Sequence, residues 1–320
     1  MFRARANPVG LLASKSRPLK RAYHGSFQPS SFRVRLLGPT LWSVAACSTI
    51  YLGCAAYEVY QDARRTRRKG TYSIHEKTAP TFEDLQDLRD RVSLNRFPRS
   101  TAELSEFNDA GDLVNGTMAV TAAIYLASSL VPGMSHHFIH VPLLPHNYTL
   151  LTSVFGHAGL LHLGCNLYGM FMLMPRAASS PTLEQSSTHL AAFFASAGIL
   201  SSLAQHATAA LPRGVPNTGG LGASGALFAL LGVVGISFPD TQIGILFLPG
   251  SIPISDALIY LALFDAIGIF VRYPFFSFGH AAHLGGLSLG VAYAKLNGGE
   301  NIWRPGRRVA FKAMRSLGVI

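Results

Sequence analysis

Three short polar clusters stand inside long apolar stretches: His162-Leu163-Gly164-Cys165-Asn166, Gly222-Ala223-Ser224-Gly225, and His283 with its glycine-rich neighbours. A polar side chain at membrane depth is costly to keep, so such positions are functional candidates. Serine, histidine and asparagine together supply a nucleophile, its base and an oxyanion donor, the minimum set for acyl transfer. In that chemistry Ser224 attacks and His283 takes its proton. The Ser224 backbone N–H, with side-chain donors from His162 and Asn166, steadies the oxyanion. Taken singly, Ser224 reads as a back-bonded helix hydroxyl, His283 as a packing residue, and His162 with Asn166 as interhelical glue. Their conjunction at one depth is what favours catalysis.

The elements that must position these residues are membrane helices. Charged residues make up 13% of the chain, hydrophobic ones 49%, and the mean hydropathy is +0.28. Apolar stretches cover 39–60, 114–132, 158–175, 188–210, 222–237, 253–271 and 279–296, and about 20 helical residues cross a bilayer core. The polar segment 61–112, with an amphipathic helix expected around 82–93, sets the first stretch apart. The expected fold is therefore an all-α polytopic membrane protein with one N-terminal transmembrane helix followed by a six-helix core. Each crossing switches sides, so the stretches at 158, 222 and 279 begin on the same face, and a rise of about 1.5 Å per residue brings all three clusters to similar depth. His162 and Asn166, four apart, share a helix face. Gly286 and Gly290 form a small-xxx-small pair, and Gly222 and Gly225 leave backbone exposed on the partner helix. Such helices can approach closely enough for a serine–histidine hydrogen bond. No carboxylate is expected as a third member: Asp256 and Asp265 lie in the stretch running the other way, with Asp265 expected well down from the serine. The reading is a Ser-His dyad. Gly222-Ala223-Ser224-Gly225-Ala226 departs from the soluble-hydrolase elbow, because Ala226 stands where that pattern ends in glycine.

The formal net charge is +11, but the basic residues collect in segments flanking the helices and form no stripe interleaved with aromatics, so no nucleic-acid partner is implied. Cys47, Cys54 and Cys165 all fall in apolar stretches and are odd in number, so a disulfide framework is not indicated. Residues 1 to 57 contain no Asp or Glu while eight Lys or Arg are spread among serines and small residues. This is the composition of an organelle presequence.

The His157-x4-His162-x3-Asn166 arrangement, Gly222-Ala223-Ser224-Gly225, and Ala282-His283-x2-Gly286-x3-Gly290 together resemble the rhomboid intramembrane serine proteases. The extra helix and presequence resemble the mitochondrial, presenilin-associated rhomboid-like branch. The chain is expected to run as a presequence over 1–37, a transmembrane helix over 38–60, a polar loop over 61–112, a core over 113–297 to which the resemblance extends, and a basic tail over 298–320. The resemblance implies a Ser224 nucleophile, a His283 base and an oxyanion hole from His162, Asn166 and Ser224, supported by His157, Gly222, Gly286 and Gly290. It implies no metal or other cofactor. Residence is expected in the mitochondrial inner membrane as a multi-pass protein. The expected partners are the lipid bilayer and single-pass membrane proteins cut in or beside their transmembrane helix. The stretch 253–271 and the loop carrying Arg272, Pro274, Phe275 and Phe276 are candidates for a gate. A metalloprotease, a silent client-binding relative and a proton-relaying transporter are the alternatives; the first lacks a His-Glu-x-x-His helix.

Overall fold

A computed structural model describes residues 34–68, 81–94, 108–211, 218–244, 250–271 and 279–320. Most of the expected presequence, parts of the polar loop, and Arg272, Pro274, Phe275 and Phe276 of the expected gate lie outside the described residues. The chain forms α1 (Leu37–Arg68), α2 (Phe82–Leu94), α3 (Asn108–Leu130), the single turn α4 (Thr149–Thr152), α5 (Leu160–Ala178), α6 (Ser187–Thr208) and α7 (Ser224–Ser237). A two-residue antiparallel pair, β1 (Gln242–Ile243) with β2 (Ile252–Pro253), leads into α8 (Ile254–Phe270), α9 (His280–Lys295) and α10 (Arg304–Ser316).

Every apolar stretch read from the sequence falls on a helix: α1, α3 and α5 to α9. The chain is an all-α polytopic membrane protein. Among the described residues, Leu37–Arg65, Ala110–Leu130 and Ser187–Thr208 are long and apolar enough to cross a membrane by themselves, and Ser224–Ser237 is apolar but short. At 1.5 Å per residue the 14 residues of α7 reach about 21 Å, against a hydrocarbon core of about 30 Å.

A helix that is apolar on all sides belongs in the middle of a bundle. In α7 most residues from Gly225 to Gly235 are buried, and the helix packs against α5, α6, α8 and α9. Met170 and Met174 of α5, Leu190 and Phe193 of α6, and Leu230 and Val233 of α7 share the largest core cluster. α1 lies outside this group against α6 and α10.

The charged periphery is more ordered than its composition suggests. Thr81 and Asp84 close a capping box at the start of α2: Thr81 N–H donates to Asp84 Oδ2 at 2.8 Å and Asp84 N–H to Thr81 Oγ1 at 3.2 Å. The stretch 298–320, expected as a basic tail, is a π turn over Gly299–Trp303 followed by α10. Arg307 of α10 is fully buried. It meets Glu58 Oε2 at 3.0 Å, Asp62 Oδ2 at 2.7 Å and Gln86 Oε1 at 2.5 Å. Arg89 of α2 adds Glu58 Oε1 at 2.6 Å. These cations hold Glu58 and Asp62, which lie where α1 runs on past its apolar residues, against α2 and α10.

Candidate active site

α7 begins at Ser224, and the loop before it is held by backbone. His140 N–H donates to Gly220 O and Gly220 N–H to His140 O, each at 2.9 Å, and Gly222 N–H donates to Ser153 O at 2.8 Å. Gly222 has φ +118°, and a Cβ there would meet the His162 ring at 2.8 Å. Glycine is needed at this position both for its backbone angle and for the space the imidazole fills.

The structure brings Ser224 and His283 together: Oγ lies 2.7 Å from His283 Nε2. That distance is set by backbone. A Cβ on Gly286 would stand 2.0 Å from Gly225 O, and one on Gly290 1.9 Å from Ala229 O, so α9 rests directly on the carbonyls of α7. The His283 ring also stacks on Phe228, one turn beyond Ser224, with centroids 4.3 Å apart and planes 11° apart.

His162, at the start of α5, receives the Ala158 N–H at Nδ1 over 3.4 Å, which leaves its Nε2 as the N–H end. That edge faces Gly222 and the serine. Asn166 is buried and turns Nδ2 to the His162 carbonyl at 2.8 Å. Its second N–H remains for another acceptor. His157 places its ring centroid 4.9 Å from that of His162, and burial, then the neighbouring His162, lower its pKa to about 4. It is therefore neutral near pH 7. Ser224, His283, His162, Asn166 and Gly222 line one cavity of about 1730 Å³, joined by Gln205.

Asp265 corrects the expectation of a site without a carboxylate. It is fully buried, its Oδ1 lying 2.7 Å from His280 Nδ1 and 3.3 Å from His283 Nδ1. The reason is direction: α8 starts on the far face but ends on the face where α9 begins, and Asp265 is only five residues from its end at Phe270. Depth counted from the near end puts it level with His283. Phe228 and Gln205, whose Oε1 accepts the Ala282 N–H at 3.2 Å, also escaped the sequence. An aromatic one turn from the serine was legible; Gln205 left no signal beyond a polar residue in an apolar stretch.

Comparison with known proteins identifies what the chain is similar to. Residues 145–299 match the Rhomboid domain, a span that contains all of these side chains except His140. The chain is 27% identical over 285 residues to the presenilin-associated rhomboid-like mitochondrial protein of Rattus norvegicus, covering 87% of this chain and 71% of that one. It is 25% identical to the Homo sapiens protein of the same name, with the same coverage. It is also 34% identical over 149 residues to the mitochondrial Rhomboid protein 1 of Saccharomyces cerevisiae, over 45% of this chain and 40% of that one. A mostly helical bundle, the matched domain and relatives that are all mitochondrial rhomboids place the chain in the rhomboid family, in its mitochondrial, presenilin-associated rhomboid-like branch.

Proposed function

We propose that the chain is an intramembrane serine endopeptidase of the mitochondrial inner membrane, cutting single-pass membrane proteins within or beside their transmembrane helix. The observation that carries this reading is the 2.7 Å contact between Ser224 Oγ and His283 Nε2 at the edge of a cavity inside a helical bundle. Ser224 Oγ attacks the scissile carbonyl carbon as its proton passes to His283 Nε2. The oxyanion takes the free Ser224 N–H at the start of α7, where helix geometry leaves donors without an acceptor, and the Nε2–H of His162. Asn166 serves through its remaining N–H. The imidazolium returns its proton to the leaving amine, and water, activated by the same imidazole, releases the acyl group. A transmembrane helix satisfies its own amides, so the substrate must unwind locally before attack; small or helix-breaking residues at the cut ease that step.

The test uses purified full-length protein in proteoliposomes with a labelled single-pass substrate. The wild type should release two fragments whose masses locate the cut, and Ser224→Ala should release none while inserting and accumulating as before. Equal cleavage by both proteins would overturn the reading.

A further inference from the structure

We infer that Asp265 is a positioning residue for His283, held in place by His280, so that the serine works with a buried carboxylate behind its base. The inference rests on the protease reading above and concerns how its base is oriented. His280 and His283 are three apart on α9 and present the same ring atom, Nδ1, to the same oxygen, Asp265 Oδ1, at 2.7 and 3.3 Å. On the other side of its ring His283 offers Nε2 to Ser224. For Nε2 to accept the serine proton, the neutral imidazole must carry its hydrogen on Nδ1. That hydrogen is on the edge of the ring nearest the carboxylate, with Nδ1 3.3 Å from Oδ1 and not yet in hydrogen-bond alignment. The longer of the two contacts is of the kind that tightens when the imidazole becomes charged, since catalytic hydrogen bonds are often slack before substrate binds.

Three further features fit this role. Asp265 is completely buried, and its Oδ2 has no hydrogen-bond partner among the described residues. A carboxylate kept in such surroundings needs cationic or N–H neighbours, and the two imidazoles on α9 supply them. A Cβ on Gly268 would lie 2.5 Å from the His280 ring, so His280 rests on the backbone of α8 one turn beyond Asp265 and fixes where the carboxylate stands. Stacking on Phe228 fixes the plane of the His283 ring and leaves its choice of tautomer to whatever faces Nδ1. No atom is transferred to Asp265: the proton on His283 Nδ1 stays there throughout the cycle.

The experiment measures kcat and KM for a labelled transmembrane substrate in proteoliposomes, with a thermal melt of each variant. Asp265→Asn can present its amide N–H to Nδ1 and favour the wrong tautomer, so its kcat should fall on the order of 10²-fold with KM within twofold. Asp265→Glu should recover part of that loss. His280→Asn should lower kcat by less, and the pair His280→Asn with Asp265→Asn should be no slower than Asp265→Asn, because His280 acts through the carboxylate. Unchanged kcat in Asp265→Asn, or losses in kcat that only follow a falling melting temperature and are not recovered by Glu, would overturn the inference while Ser224→Ala remained inactive. If Ser224→Ala cleaved as well as the wild type, the protease reading would fail and this inference with it.

Discussion

At the scale of single residues, glycine decides the site more than any polar group does. Gly286 and Gly290 let α9 sit on the carbonyls of α7 with no side chain between them. Gly290→Ala forces a methyl to within 1.9 Å of Ala229 O and should cost at least the roughly 1–3 kcal/mol of an overpacked core. The helices then part, and cleavage falls together with the melting temperature. Gly164 offers the contrast. It lies in α5 between His162 and Asn166, yet nothing stands within 4 Å of its added Cβ, so Gly164→Ala should raise stability by about 0.5–1 kcal/mol, as for any helix-interior glycine. Melting the two variants side by side in detergent checks both signs. Ser224, His283 and the glycines around them stood out in the sequence because each sits in a polar or small-residue break within an apolar run. Asp265 was visible as an oddity, but its partners depended on which end of α8 the depth was counted from.

Among elements, α1, α2 and α10 behave as one attachment joined by charge. Arg307 is buried between Glu58, Asp62 and Gln86, and Glu58 also accepts from the hydroxyls of Ser186 and Thr188, tying the same knot to α6. Nearby, Arg304 Nε meets Glu184 Oε1 at 2.5 Å, and burial raises the pKa of Glu184 against that pairing. Removing one partner of a buried ionic group strands the others, which costs roughly 3–5 kcal/mol. Arg307→Met should therefore lower the melting temperature sharply and expose α10 to protease, whereas Arg308→Met, at the exposed pair with Glu83, should do neither. None of this could be read from composition. Basic residues beside membrane helices look alike whether they face lipid headgroups or a buried carboxylate, and the carboxylates that hold Arg307 lie more than 200 residues earlier in the chain.

For the whole molecule, the seven apolar runs predicted the helical class and the placement of α1, α3 and α5 to α9, since hydrophobic length and period are local properties. How the helices lean on one another was set by long-range contacts, among them a histidine pair outside the central site. His140 Nε2 lies 2.8 Å from His206 Nδ1, and His206 Nε2 donates to Arg35 O at 2.8 Å, linking the chain ahead of α1 to α6. Burial, then His206, lower the pKa of His140 to about 4 from an ordinary 6.5. The folded state thus binds fewer protons than the unfolded one, so this stabilisation is complete above pH 6.5 and disappears as the pH falls toward 4. Melting temperatures measured from pH 7.5 to 4.5 should decline, and His140→Gln should flatten the decline. The brevity of α7 has the widest reach. A rod about a third too short for its surroundings cannot bring both ends to the interfacial water, so the first amides of α7 open onto an interior hollow. An extended peptide strand can satisfy those donors; an intact helical guest, its carbonyls already engaged, cannot.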